Sequence, residues 1–437
     1  MSLDVPATRS RPRAAPAPVA PVPVPPAAVA PVPVAPVGAT RPRVWARVAS
    51  MSLTWRALLA SRLLVLVAGI VGSLTLTPHA AAVTQRQARA LGAVGHLLAA
   101  STDRFDSGYY LGIATTGYGR LSSGRIAFFP VYPELIRVLA VLTRSPVLSG
   151  VLISLVSFVV ALTLLHRLCV LEFGRAAADA TTLLLCFAPL SFFFSAVYTE
   201  SLFLALTVGA VYAARTDRWR VACLLAVAAT LTRPTGFLIA GPLLVLWHRS
   251  GRPRRELGWL GLAPVALVAW TVVLGLLGYG LTGEFHVEHT QWHRLTVLPP
   301  EGLLLGLLAM AHGIARLAAG ATAYHPGITG PFTVDAEDVI VGAILVGCLV
   351  ALEACRRRMR AEYTVYAALV LVMCLSTVEQ GEPLWSFDRF ALTIFPLWMV
   401  AGAFLARRRW LLVPVCLCGA AALVFYTMQF SSWAFIA

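Results

Sequence analysis

Lysine is absent from this 437-residue chain: all 35 basic residues are arginine. Charge of either sign is scarce. Only 13% of residues are charged and 20 are acidic, against about 25% charged in soluble domains. With 58% hydrophobic residues and a mean hydropathy of +0.78, this scarcity excludes an ordinary soluble protein. Strict apolar/polar alternation is also missing, which excludes an outer-membrane barrel. Cysteine is sparse and unpatterned: Cys169, Cys186, Cys223, Cys348, Cys355, Cys374, Cys416 and Cys418 show neither disulfide-framework nor zinc-site spacing. Even the closest pair, Cys416 and Cys418, reads as small hydrophobes. The missing lysines in a chain of formal charge +15 reflect biased arginine usage, and no nucleic-acid partner is expected.

What is present is a series of apolar runs near the 20 residues a spanning helix needs. Lipid cannot satisfy exposed backbone groups, so the expected fold class is an all-α polytopic membrane bundle. Spans are expected near 57–78, 146–170, 177–197, 200–214, 219–232, 236–248, 257–280, 335–354, 361–378, 390–406 and 410–428, about 11 in all. Residues 1–47 repeat Pro, Ala and Val, a composition that blocks helix and strand. They are expected to form a disordered tail ahead of a membrane domain at 48–437, and they lack the compact apolar core of a cleavable signal peptide.

Arginine sets the orientation. Arg41, Arg43, Arg47 and Arg56 precede the first span, and further groups lie at Arg167 and Arg175, Arg215 to Arg220, Arg249 to Arg255, Arg356 to Arg360, and Arg407 to Arg409. All fall on one side if the N-terminus is cytoplasmic in a multi-pass plasma-membrane protein, where they would also face phospholipid headgroups. This scheme requires that 302–320, "GLLLGLLAMAHGIARLAAG", lie at the interface or re-enter rather than cross.

The acidic residues played no part in that assignment, yet most polar side chains that could do chemistry fall on the opposite, outer side. Asp103, Asp106 and Glu134 lie in the first outer loop. "YTES" carries Tyr198 and Glu200, "TRPTG" carries Arg233, and "VEQGEPLWSFDRF" carries Glu379, Glu382, Asp388 and Arg389. Outer loops are also simply where polar residues can live. Three details favour a site. "DRFDSGYYLGIATTGY" reads as a short amphipathic surface helix with Asp106 at its N-terminus, where a carboxylate also suits the helix dipole as a cap. "AFFPVYPELIRVL" sets Phe128, Phe129 and Tyr132 at the interface, as an aromatic belt or as a wall for a lipid chain or sugar. Arg233 sits between two apolar runs, where a phosphate would be a fitting bidentate partner. Together a carboxylate base, a buried arginine and a membrane-facing groove suit transfer of a sugar from a lipid phosphate, with the carboxylate taking a proton from an acceptor hydroxyl. His286, His289 and His293 have a spacing that would share one helical face. A metal there is a minor alternative to a plain or acceptor-binding loop, because the chemistry needs no cofactor.

"FDSGYYLGIATTGY", "AFFPVYP", "YTESLF", "TRPTGFL" and "DRFALTIFPLW" occur in that order. Together they resemble the PIG-V-like family, which includes the enzyme adding the second mannose in GPI-anchor assembly and bacterial relatives. That family belongs to the GT-C class of membrane glycosyltransferases. The resemblance spans about residues 50 to 430. It implies a polyprenyl-phosphate-mannose donor, a glycolipid or cell-envelope glycan acceptor, membrane lipids as surroundings, and inverting transfer. The family's Trp-Asp-Ser is here Phe105-Asp106-Ser107, which makes Asp106 the expected base. Its Arg-Pro-Asn-Gly is here Arg233-Pro234-Thr235-Gly236, and its Ser/Asp-Arg-Tyr is Asp388-Arg389-Phe390. Arg233 and Arg389 are therefore expected to bind donor phosphate. Tyr198 and Glu200 are expected to orient sugar or acceptor, with Asp103, Tyr109, Tyr132 and Asp388 as further substrate contacts. The rival readings are a GT-C transferase of another lipid-linked sugar, a non-catalytic lipid or sugar transporter, and an envelope scaffold.

Overall fold

Long apolar runs fold as helices because only a helix satisfies its own backbone polar groups without water. The computed structural model describes residues 53–119, 123–320, 323–324 and 330–436. The proline-rich stretch 1–47 lies outside the described residues. In chain order the helices are α1 (Leu53–Thr75), α2 (Ala81–Ala99), α3 (Ser107–Thr116), α4 (Val131–Thr143), α5 (Pro146–Phe173), α6 (Arg175–Cys186), α7 (Glu200–Arg215), α8 (Trp219–Thr230) and α9 (Ala240–Arg249). After a short turn of helix at Leu257–Leu260 come α10 (Leu262–Leu276), α11 (Gly283–Gln291), α12 (Pro299–Ala318), α13 (Val334–Arg358), α14 (Ala361–Leu375), α15 (Phe387–Ala391), α16 (Phe395–Ala406) and α17 (Arg409–Ser431). Two short strands, β1 (Arg294–Thr296) and β2 (Thr377–Glu379), pair antiparallel.

Among the described residues, six stretches are long and apolar enough to cross a membrane: Leu53–Thr75, Pro146–Phe173, Arg254–Leu276, Pro299–Ala318, Val334–Arg358 and Arg409–Ser431. Three shorter helices, α8, α14 and α16, are also apolar. The expected span 177–197 is broken: α6 ends at Cys186, and a buried 3-10 turn occupies Ser191–Phe194. Likewise 236–248 opens as a 3-10 turn, Pro234–Ile239, before α9.

Close packing and internal polar contacts hold these helices together, as expected where lipid removes the hydrophobic drive. Phe194 stacks on Phe158 of α5 at 4.4 Å, and Phe192 meets Phe430 of α17 at 4.8 Å. Arg62, on α1, fastens the same turn by donating to the Ser191 carbonyl and the Ser195 hydroxyl, both at 2.8 Å. The turn that delivers Tyr198 and Glu200 is thus fixed from three helices.

Helix α12 covers the stretch expected at the interface. By length and composition it could cross. Its contacts run along α13: Met310 meets Gly342, and Gly313 meets the Asp335 carbonyl. Gly302 abuts the Leu375 carbonyl at the close of α14, so closely that a Cβ would collide with it. Near its other end Arg316 pairs with Asp335, at the start of α13, at 2.8 Å.

Two of the arginine-rich helix ends meet at Glu362. Arg215 at the end of α7 pairs with Glu172 of α5 at 2.7 Å and Glu362 of α14 at 3.0 Å. Arg249 at the end of α9 lies 3.6 Å from Glu362. Helix α7 runs from Glu200 to Arg215, so this arginine-rich end lies about 22 Å along it from Glu200.

Candidate active site

The segment "DRFDS" forms a tight corner. Phe105 has a left-handed backbone (φ 48°), which is costly outside glycine and is held by packing. Its ring sits between Phe430, Trp433 and Phe435 at 5.4 to 5.6 Å. Arg104 is wholly buried and donates twice to the Ser431 carbonyl, at 3.1 and 2.9 Å. Tyr198 closes the corner: its hydroxyl accepts from the Asp106 N–H and donates to the Arg104 carbonyl, both at 3.2 Å. Asp106 then opens α3 as expected, but its carboxylate does not cap that helix. It turns instead to an arginine that lies 283 residues on in the chain.

Arg389 donates from one Nη to Asp106 Oδ2 at 2.7 Å, and its Nε lies 3.6 Å from Glu200 Oε1. The same Glu200 oxygen accepts from Arg233 at 2.6 Å. Asp106, Arg389, Glu200 and Arg233 therefore form an alternating row of charge. Burial alone would lower the pKa of Arg389, but Asp106 and Glu200 more than offset this and hold it above its ordinary value. Glu200 has no exposed surface, and a carboxylate so placed is tolerable only with such partners. Phe390 lies beneath the guanidinium groups of Arg389, Arg233 and Arg294, with its ring centroid 5.4 to 5.8 Å away.

A cavity of about 380 Å³ opens over this row. Asp106, Tyr198 and Arg389 line it, facing Gln291, Trp292, His293 and Arg294. The β1–β2 ribbon shapes that second wall by pairing Arg294 with Glu379 in register. Arg294 also binds Glu288 at 3.0 Å. The cavity thus brings two carboxylates, Asp106 and Glu379, and two guanidiniums, Arg389 and Arg294, to a partly enclosed pocket, a set able to hold a phosphate and accept a proton.

Several expected contacts lie elsewhere. Arg233 is not in the cavity wall; it stands behind it, held by Glu200. Glu200 is likewise behind the wall. Tyr132 is fully buried and its hydroxyl meets the Gly150 carbonyl and Ser154, so it is a packing residue between α4 and α5. Tyr109 stacks on Phe128 at 4.6 Å outside the lining. Asp103 is buried and accepts from Ser107 at 2.9 Å; burial pushes its carboxyl up. Asp388 faces a neighbouring recess of about 60 Å³ with Glu337, Asp338 and Glu382. Burial pushes the Asp388 carboxyl up to about 6, and its Oδ1 accepts from the Arg389 N–H at 2.8 Å. His286, His289 and His293 do not share a helical face, because α11 ends at Gln291 and His293 has a left-handed backbone (φ 49°). Arg294 and Trp292 had no sequence signal beyond their place beside those histidines. Strands of three residues are too short to show a period.

Comparison with known proteins follows the same residues. A search of curated proteins matched none. Among solved structures, the oligosaccharyltransferase of Archaeoglobus fulgidus in its apo form aligns with a TM-score of 0.40 at 13% identity, covering 84% of this chain and 55% of that one. The same enzyme in complex with Zn and sulfate aligns at 0.37 and 15%, covering 76% and 50%. This chain spans about half the length of those archaeal structures. Over residues 55–248, the stretch carrying Asp106, Tyr198, Glu200 and Arg233, the chain matches the family described as Mannosyltransferase (PIG-V).

Proposed function

We propose that this chain is a membrane mannosyltransferase that moves mannose from polyprenyl-phosphate-mannose to a lipid or cell-envelope glycan acceptor, with inversion at the transferred carbon. The family match supports glycosyl transfer. The observation that carries the reading is the Asp106–Arg389 pair on the wall of a 380 Å³ cavity. A base and a phosphate-binding cation that touch each other without substrate are placed to act on the two ends of one displacement.

In the proposed step the donor phosphate takes over the Arg389 guanidinium, with Arg294 on the facing wall, and Asp106 is released toward the acceptor. The acceptor hydroxyl gives its proton to Asp106, and its oxygen bonds to the mannose anomeric carbon from the face opposite the phosphate. The bond from that carbon to the phosphate oxygen breaks, and the polyprenyl phosphate leaves with the electron pair. Its charge is met by arginine in place of a metal. Arg233 and Glu200 serve this step by holding Arg389 in position. The arginine-rich end is assigned to the cytoplasm and the cavity to the outer face of the plasma membrane, in keeping with the positive-inside rule.

Membranes carrying the protein should move labelled mannose from polyprenyl-phosphate-mannose to an endogenous acceptor, and Asp106→Asn should stop this at unchanged expression. Transfer from GDP-mannose alone, with no lipid carrier, would overturn the donor assignment. Transfer of another lipid-linked sugar in place of mannose would overturn the sugar assignment.

A further inference from the structure

A second cavity, of about 320 Å³, opens at the arginine-rich end, remote from Asp106. Arg215, Arg249, Arg252 and Arg360 line it, with one carboxylate, Glu362. These arginines come from the end of α7, the end of α9, the loop after α9, and the residue before α14. No short sequence motif unites them; the helix ends do.

The arginines divide into two kinds. Arg215 is committed to the protein. Its side chain is 14% exposed, and it donates to Glu362 while also pairing with Glu172. Arg252 pairs with Asp217 and lies over the Trp219 ring at 5.2 Å. Arg249 and Arg360 are different. Each side chain is more than half exposed, at 52% and 54%, and neither donates a hydrogen bond among the described residues. Their nearest carboxylate oxygens, on Glu362 and Glu172, lie 3.6 and 3.5 Å away. Those carboxylates hold the two guanidiniums over the opening and leave their donors unfilled. The four cations face three carboxylates, Glu172, Glu362 and Asp217, so the cluster retains positive charge.

Guanidinium donors with unfilled hydrogen-bonding capacity over a cavity of this size fit a phosphate group, which two such forks can hold by several charge-assisted bonds. The surroundings fit a membrane interface. Val221 and Leu224 on α8 and Leu244 on α9 are exposed apolar residues on the helices that form the cavity. We propose that this cavity is a phosphate-binding site at the arginine-rich end of the bundle, distinct from the Asp106 cavity. The phosphate belongs either to the headgroup of an anionic phospholipid or to a soluble phosphate compound.

The test uses the full chain purified in neutral detergent. Native mass spectrometry follows retention of phosphatidylglycerol and phosphatidylcholine, and thermal unfolding follows the response to inorganic phosphate. The variants are Arg249→Gln/Arg360→Gln and, as a control for general charge, Arg356→Gln/Arg357→Gln, whose arginines stand at the same end but pair with Glu353 at 2.6 and 2.5 Å. The site takes a lipid headgroup if phosphatidylglycerol is retained over phosphatidylcholine and the first variant loses roughly tenfold in affinity while the control does not. It takes a soluble phosphate if inorganic phosphate raises the unfolding temperature of the parent and control but not of the first variant. The proposal is overturned if the first variant binds both ligands as the parent does, if the parent binds neither, or if the control loses as much as the first variant.

Discussion

Glu200 accepts from Arg233 at 2.6 Å with no part of its side chain exposed, and the same oxygen lies 3.6 Å from Arg389. One buried carboxylate thus ties the Arg-Pro-Thr-Gly turn to the Asp-Arg-Phe segment that supplies the cavity's arginine. Removing it would leave two guanidiniums without their shared anion. Glu200→Ala is expected to cost about 3–5 kcal/mol of stability, the usual penalty for breaking a buried pair from one side. Thermal unfolding in detergent measures this, with Glu200→Gln falling between the two. An unchanged unfolding temperature in Glu200→Ala would show that the pair does not hold the bundle together.

Asp106→Asn keeps the size of the side chain and its place on the cavity wall while removing its basicity. Mannosyl transfer should fall about 10²–10⁴-fold, the range for loss of a general base. Expression should change little, because the corner around Phe105 is held by Arg104 and Tyr198, while the unfolding temperature should fall modestly as buried Arg389 loses its hydrogen-bonded anion. Activity near the parent level would remove Asp106 from the mechanism.

Arg389→Lys keeps a charge but loses the planar fork that reaches Asp106 and lies near Glu200. The KM for the lipid-phosphate donor should rise by about tenfold or more at fixed acceptor. A fall in kcat with an unchanged donor KM would argue against phosphate binding by this residue.

Burial pushes the carboxyls of Glu382 and Asp388 up to about 7 and about 6, with neighbouring Asp338 adding to the rise at Glu382. In both groups the folded state holds its proton more tightly than the unfolded chain does. Their burden on folding is absent below the ordinary carboxylate range, grows as pH rises, and is complete above about 7. The unfolding temperature should therefore fall between pH 5 and pH 8, and Glu382→Gln should flatten that slope. A profile that rises over the same window would contradict the assignment.

Gly236 closes the Arg233 turn against the end of α8. A Cβ there would run into the Ala229 carbonyl oxygen and the backbone that follows it. Neither group is the end of a flexible side chain, so Gly236→Ala should lower folded yield and shift Arg233 from Glu200. The readout is the fraction of protein eluting as a monodisperse species. An unaffected yield would mean that the turn can open at little cost.

Helix existence was largely legible, because apolar runs and arginine-rich ends follow from one-dimensional physics. The breaks were not. The segment 177–197 is apolar throughout, yet it folds as α6 and a 3-10 turn, since periodicity cannot separate a spanning helix from a buried turn of phenylalanines. The site divided the same way. Asp106 and Arg389 stood out as charges in greasy surroundings. Arg294 did not, because a three-residue strand leaves no pattern to read.

From sequence alone, then, came the membrane class, the helix-forming runs, and the clustering of arginine at helix ends. Each depends on local composition and on the energy of charge in lipid. The tertiary structure alone decided which charges meet. It set Asp106 against Arg389, placed Arg233 behind Glu200 and out of the cavity, and gathered Arg215, Arg249, Arg252 and Arg360 around one opening. Such pairings join residues up to hundreds of positions apart. They are fixed by helix packing and by the need of every buried charge for a partner, neither of which a linear pattern records.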